Sequence, residues 1–532
     1  MCVLKANPKT ENFDKMKIKK LKIKNFRSYK DEVDIEFCDL TAFVGKNDIG
    51  KSTVLEALDI FFNEGKGVVK LDRDDINKQN LAEGDNEIII SAIFEELPNS
   101  IIIDSTNETN LQAEYLLNAN NQLEIIKKFP NAGKERVFIK AFHPTNTHCK
   151  DLLLKKDSDL RAIIDSNNIE CSSRIRNAAM RTAIWNHFNT SLGLQEIEID
   201  VTKCDAKSIW EKLQPYLPLY SLFQSDRKNS DGDSEVQDPL KEAVRQILDD
   251  NDLKQKFIEI ATEVENKLRE VAERTLEKIR EMNPDIANSL NPVIPASHSL
   301  KWNDVFKSVS IAGDENIPIN KRGSGIKRLI LLNFFRAEAD RRRQQQNIPS
   351  IIYAVEEPET SQHYEHQKIL INAFLTLATT PNTQVIITTH SAVLVKELSF
   401  DHLRLVKFEN GSKTINNVLP NSLSYPSLNE VNYIAFKEIT EEYHNELYGF
   451  IDLEGQLTNF KNGKPLMTYN KILQNGSLRS EQITLTEYVR HQIHHPENTK
   501  NPKFTPQQLR ESVDLMRNFI QTEINLSHLE GA

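Results

Sequence analysis

Cysteine is scarce, with five in 532 residues. Cys2, Cys38, Cys149, Cys171 and Cys204 are scattered and form no C-x-x-C pair, which argues for reduced thiols in a cytoplasm and against a zinc site. No apolar run nears the roughly 20 residues a membrane-spanning helix needs. The Lys-rich N-terminus lacks the apolar core of an export signal. No internal repeat of about 20–50 residues is visible. Positive charge is not in excess: the net charge is −10, so any nucleic-acid binding must come from local patches rather than the overall field. With 39% hydrophobic and 27% charged residues, the composition is that of a soluble globular protein, long enough for about two or three domains and a large core.

One stretch carries chemistry at once. Phe43-Val44-Gly45-Lys46-Asn47-Asp48-Ile49-Gly50-Lys51-Ser52-Thr53 fits G-x-x-x-x-G-K-[ST], the phosphate-binding P-loop. Residues 40–44 read as a buried strand entering it. Val54, Leu55, Ala57, Leu58 and Phe61 follow at helical spacing. Gly45 and Gly50 let the backbone turn tightly and aim N–H groups at phosphate oxygens, and the helix adds its positive end. Lys51 is expected to reach the β- and γ-phosphates, and Ser52 to ligate Mg2+.

Around this loop the chain reads as follows. In residues 15–30, Ile18, Leu21 and Ile23 alternate with lysines, an edge strand whose lysines face water. Residues 25–28 make a turn, in which Arg27 either touches nucleotide or is solvated. Residues 33–37, 87–94, 122–129 and 136–142 read as strands, giving a β-rich N-terminal lobe over 1–148. From Cys149 helical segments follow at 151–164, 175–188 and 206–213. A long helix starts at Pro239, where Phe257, Ala261, Val264, Leu268, Val271 and Leu276 keep a spacing of three and four, as in a short coiled coil or an ordinary packed helix. These define a helical insertion over 149–300. Strand-like segments return at 306–311, 350–355 and 384–388, the last two bracketing a helix at 364–378. This β–α–β rhythm implies a parallel sheet and a C-terminal lobe over 301–415. Another strand-like piece follows at 403–408. Residues 416–532 read as a helical, partner-docking region. The fold class expected is α/β: a mixed sheet plus a parallel sheet with the P-loop, an inserted helical domain and a C-terminal helical domain.

Three later stretches suit the same site. The apolar run 351–355 ends in Glu356-Glu357-Pro358-Glu359. By position Glu356 is the metal-side carboxylate and Glu357 the one that polarises water. A second apolar run ends in Thr389-His390-Ser391, placing His390 as a γ-phosphate sensor or a structural histidine. Arg322-Gly323-Ser324-Gly325 opens an apolar helix. Ser324 and Gly325 there suit a terminal phosphate, or the glycines simply cap the helix.

Taken together, Asn25-Phe26-Arg27, the P-loop, Arg322 to Gly325, Glu356 to Glu359 and Thr389-His390-Ser391 resemble the ABC-type ATPase head of RecF, the SMC-like repair ATPases and the OLD-like ATPases. The resemblance implies ATP and Mg2+ as cofactors, ATP hydrolysis, and a homodimer or higher even oligomer. In it Ser324 of one subunit completes the ATP site of another. Two positions depart from the pattern: Glu356 stands where aspartate is usual, and the signature reads Gly-Ser-Gly rather than Ser-Gly-Gly. More narrowly, residues 218–227, 357–363 and 488–498 resemble the PtuA family, the ATPases of Septu-type antiphage defence. That likeness implies a partner HNH nuclease (PtuB-like) and, in retron settings, a reverse transcriptase with its RNA-linked DNA. The competing readings are a RecF-like or SMC-like DNA-repair ATPase, a transporter ATPase, and a non-hydrolysing nucleotide switch.

No nuclease site of the OLD type is legible after His390, and Asp452-Leu453-Glu454-Gly455 reads as a surface turn. His491 and His495 have a spacing that can place two ligands on one helix face, but Pro496 ends the helix. With His494 they stay open between metal or catalytic use and partner docking or structure. Arg336, Arg341, Arg342, Arg343 and the lysines of residues 15–30 are DNA-phosphate candidates or solvated charges. Few aromatics interleave with them, so single-strand stacking is not supported.

Overall fold

A strand that alternates lysine with Ile18, Leu21 and Ile23 can bury only one face, and β1 (Lys17–Lys24) does so. The structure is a computed structural model. It describes residues 16–224, 253–263, 266, 269 and 350–525, except 64–66, 99–100, 105–106, 361, 410–411 and 474–475. Contrary to the edge assignment, β1 is interior. It pairs with β2 (Val33–Glu36) on one side and β4 (Glu87–Glu95) on the other. The antiparallel sheet runs β2-β1-β4-β7-β8-β9, with β7 Leu123–Pro130, β8 Arg136–Pro144 and β9 Leu194–Asp200. The lysines are not edge protection because carboxylates meet them: Lys20 pairs with Asp34 at 3.1 Å, Lys22 with Glu124 at 2.8 Å, Lys17 with Asp39 at 3.1 Å and Lys30 with Glu83 at 2.7 Å. Cross-strand pairs of opposite charge stabilise a sheet, and here they also neutralise the charge that DNA would need. A separate ladder joins β5 (Ile101–Asp104) to β6 (Asn107–Thr109).

The second sheet carries the P-loop strand at its centre. Its order is β10-β11-β12-β3-β13-β14: β10 Leu219–Phe223, β11 Ile351–Glu356, β12 Thr383–Thr389, β3 Leu40–Val44, β13 Leu403–Glu409 and β14 Ser412–Asn417. All its pairings are parallel except the β13–β14 hairpin. Strands covered on both faces read as continuous apolar runs, which is why β3, β11 and β12 are visible in sequence. The helix Tyr364–Ala378 joins β11 to β12 as expected.

The helix after the P-loop, Lys51–Asn63, is buried over nearly its whole length, as befits a helix packed on several sides. Phe61 and Phe62 lie 6.3 and 6.1 Å from Phe94 of β4, while Phe62 stacks on Tyr220 of β10 at 5.7 Å. The Tyr220 hydroxyl donates to Leu55 O at 2.6 Å. The helix thus glues the two sheets. Gln384 of β12 adds a buried polar tie, accepting from Ile18 N and donating to Ile18 O, both at 3.0 Å.

The chain divides into two compact units, residues 1–225 with 338–532, and residues 226–337. Everything above belongs to the first; in the second, residues 253–263 are helical. The signature with Ser324 and Gly325, the strand expected at 306–311, the arginines Arg336 and Arg341 to Arg343, and the coiled-coil positions Val264, Leu268, Val271 and Leu276 lie outside the described residues. Within 149–300, where the sequence reads as helix, stand Asp157–Ser166, Asn177–His187 and Cys204–Leu213, but also β9 and β10, one strand in each sheet.

The C-terminal region holds the helices Leu428–Phe436, Glu441–Leu453, Leu457–Lys461, Leu485–His494 and Pro506–Phe519. It also holds a hairpin the sequence reading lacks, β15 (Leu466–Ile472) with β16 (Leu478–Thr484). Capping boxes start the last two helices at Thr484–Glu487 and Thr505–Gln508. His444 is fully buried, its Nε2 2.9 Å from Ser512 Oγ. Burial pushes its imidazole down to about 4, while in the unfolded chain it titrates near ~6.5. Between those values the unfolded state binds the extra proton, so this contribution is complete above pH ~6.5. It is lost as pH falls toward His444's folded value, at up to about 1.4 kcal/mol per pH unit. Stability read from urea denaturation should therefore fall more steeply from about pH 7 to pH 5 in the unaltered chain than in His444→Gln.

Candidate functional site

The parallel strands end in register. Glu356 pairs with Thr388, Thr388 with Phe43, Thr389 with Val44, and Leu405 with Val44. The carboxyl ends of β11, β12, β3 and β13 therefore share one edge, where ligands bind in open α/β sheets. The chain leaves that edge at Glu357, His390 and Gly45.

Gly45 has φ 148°, and a Cβ there would lie 2.6 Å from Val406 O. Only glycine fits. Gly50, with φ 106°, closes the loop before the helix. Lys46, Asn47 and Asp48 are exposed, while Ile49, Gly50 and Ser52 are half-buried and Thr53 is buried. Lys51 is only 4% exposed, and its Nζ donates to Gly45 O at 2.9 Å and Lys46 O at 2.8 Å. Burial pulls its ammonium below the ordinary lysine value. Glu357, Glu359, Asp48 and Glu356 oppose that shift. The cradle and the carboxylates, some three hundred positions apart in sequence, thus leave the same edge of one sheet.

Glu357 has φ 39°, a left-handed backbone for a non-glycine residue. Such geometry costs on the order of 1–3 kcal/mol and gathers at functional sites. It is held by Glu357 N, which donates to Thr388 O and Thr388 Oγ1, both at 3.1 Å. His390 Nδ1 lies 3.3 Å from Glu357 Oε1 and 3.5 Å from Glu359 Oε1. Glu359, 4% exposed, accepts from Thr389 Oγ1 and His390 N, both at 2.8 Å. It fixes the turn that carries His390, a positioning role the sequence reading does not assign. The Glu-Glu-Pro-Glu motif was the available signal. Which of its three carboxylates turns inward is decided by packing.

Arg27 is not a solvated turn residue. Its Nε donates to Asp75 Oδ1 at 2.7 Å and its Nη1 pairs with Glu56 of the P-loop helix. The same turn touches the loop, since the Tyr29 hydroxyl donates to Gly50 O at 3.0 Å. Ser52 and Glu356 are hard oxygen donors of the kind Mg2+ takes together with water and phosphate. At the far end of the chain, His491 stacks on Tyr469 at 5.1 Å, and His495 Nδ1 lies 3.1 Å from Glu497 Oε1. Among the described residues no three His, Cys, Asp or Glu side chains are grouped to hold a metal ion. None of the described helices is long and apolar enough to cross a membrane.

The family model described as AAA ATPase domain matches residues 16–395. No curated protein matches the chain. Among solved structures, the chain is similar to the SMC head domain from Thermotoga maritima, at 15% identity and TM-score 0.32, covering 76% of this chain and 99% of that one. It is also similar to an Smc head bound to the C-winged helix domain of ScpA, at 16% identity and TM-score 0.34, covering 75% and 97%. A third is an Smc head with an extended coiled coil bound to the C-terminal domain of ScpA from Pyrococcus furiosus, at 14% identity and TM-score 0.37, covering 79% and 98%. Overlaps this loose carry nothing about activity or partners.

Proposed function

This chain belongs to the AAA ATPase domain family, and from that premise we propose that it binds ATP with Mg2+ and hydrolyses it to ADP and phosphate. The observation that carries the reading is the shared edge: Lys51, Glu356, Glu357 and His390 leave adjacent strands of one sheet. The backbone from Gly45 to Thr53 cradles the phosphates, and Lys51 neutralises them. Ser52 and Glu356 hold Mg2+, which when bound spreads the charge of the phosphates. Glu357 orients and polarises the attacking water, and His390, beside it, senses the γ-phosphate. Ser324 and Gly325 act in trans, so the working unit is an ATP-bridged homodimer or higher even oligomer of the ABC-type head.

The setting we propose is a cytoplasmic antiphage complex of Septu type, in which the ATP state regulates an HNH nuclease, with retron RNA-linked DNA as a further component. The motif likeness at residues 357–363 and 488–498 supports it. The C-terminal helices and the β15–β16 hairpin offer the docking region. Purification with the products of neighbouring genes, followed by a DNA-cleavage assay on the complex, tests this setting. DNA repair of the RecF type is the outcome if no nuclease co-purifies and DNA ends stimulate hydrolysis.

Glu357→Gln tests the enzyme reading. Removing the base should lower kcat on the order of 100-fold or more while ATP affinity stays within a few-fold. A negligible rate in the unaltered protein, unchanged by the substitution, would instead establish a nucleotide switch. The longer carboxylate at Glu356 and the Gly-Ser-Gly signature are the features that favour that second reading.

A further inference from the structure

We propose that Lys413, on β14, is a further nucleotide-binding residue that supplies a second buried-side cation to the phosphate chain. The inference rests on the ATP reading above and extends it to a residue outside every motif in the chain. Lys413 Nζ is one of three atoms around the point where a Cβ on Gly50 would lie, 3.1 Å from it, with Ser28 Oγ at 3.3 Å and the Tyr29 hydroxyl at 3.4 Å from that same point. It is therefore pressed against the residue that precedes Lys51 in the P-loop.

Its environment leaves the charge uncompensated. Lys413 is half-buried and, among the described residues, has neither a hydrogen bond nor an ion pair; its Nζ lies over the Tyr29 ring, 5.9 Å from the centroid. Lys407 on the same hairpin shows the contrast, pairing with Glu409 at 2.6 Å. Lys17, Lys20 and Lys22 of β1 are likewise paired. Burial lowers the Lys413 ammonium from its ordinary value, and Asp48 is the carboxylate that opposes this. A half-buried cation with no partner is costly unless an anion completes it. Beside a P-loop the anion at hand is a phosphate. The hairpin can deliver the lysine because β13 pairs with β3 as far as Val44 and runs on beyond that edge to Glu409 before β14 returns through Lys413.

Nucleotide binding to the full chain, measured by titration calorimetry with ATP, ADP, inorganic phosphate and adenosine, tests this. Lys413→Gln should weaken ATP about 10-fold and flatten the salt dependence of its affinity, Lys413→Glu should weaken it further, and Lys413→Arg should restore most of it. Thermal denaturation of the free variants controls for folding. ATP affinity within two-fold of the unaltered chain in both Lys413→Gln and Lys413→Glu overturns the proposal while leaving the ATPase reading intact. Equal loss for ATP and adenosine overturns it too, since the contact would then be to base or ribose. If the unaltered chain binds no ATP, the ATPase reading fails and the proposal falls with it.

Discussion

Lys51→Ala is expected to lower ATP affinity on the order of 100- to 1,000-fold and to abolish hydrolysis. Hydrogen bonds to charged groups contribute about 1.5–3 kcal/mol each, and in the proposed ATP complex Lys51 makes two, to the β- and γ-phosphates. Its Nζ donates to Gly45 O and Lys46 O. These loop carbonyls hold the ammonium where a phosphate would receive it, so little reorganisation is spent on binding. The same substitution should leave the nucleotide-free protein nearly as stable as before. Burial already disfavours this ammonium, and one of the two carbonyls it leaves belongs to the exposed residue Lys46. The signature is thus a large loss of ATP-induced thermal stabilisation with a small change in the free protein. ATP affinity within three-fold of the unaltered chain would remove the P-loop from the mechanism.

Arg181→Ala is expected to cost about 3–5 kcal/mol of stability, the range for breaking one side of a buried charge cluster. Arg181 is 1% exposed. Its Nε and Nη2 reach Glu114 at 2.8 and 2.9 Å, and its Nη1 pairs with Asp205. Glu114, also 1% exposed, accepts from Thr109 Oγ1 at 3.0 Å as well. Without the guanidinium that carboxylate stays buried with one neutral donor. Three pieces lose their clamp together: the turn around Glu114, the helix Asn177–His187 and the helix Cys204–Leu213. Arg181→Lys should recover only part, because an ammonium cannot fork across two carboxylates. Arg181→Met with Glu114→Met should be milder than Arg181→Ala alone, since the fully buried carboxylate goes with its partner and only the part-exposed Asp205 is left unpaired. Urea denaturation of the four proteins orders them. An alanine variant within 1 kcal/mol of the unaltered chain contradicts this account.

The accuracy of the sequence reading follows how local each feature is. β3, the helix Lys51–Asn63, β11, the helix Tyr364–Ala378 and β12 are legible because each buries an apolar surface that its own residues announce. β9 and β10 escape it. Leu194–Asp200 spreads its apolar residues among acids, and Leu219–Phe223 is too short for periodicity to separate strand from helix. The lysines of β1 show the limit most clearly. A lysine-rich strand looks the same whether water or carboxylates face it, and Asp34 and Glu124 come from other strands.

From its order of residues alone, this protein has a P-loop motif at Gly45 to Thr53, a strand ending in Glu356-Glu357 and another ending at His390. Backbone conformation at glycines and burial of apolar runs are short-range matters, and a linear motif suffices to record them. Folding alone decided that Glu357 and His390 come within 3.3 Å of each other, and that Glu359 rather than its neighbours turns inward. It also decided that the β1 lysines are spent on ion pairs and that Lys413 is set against Gly50. Those outcomes are contacts between residues on different strands and turns, and only packing selects which partner each one meets.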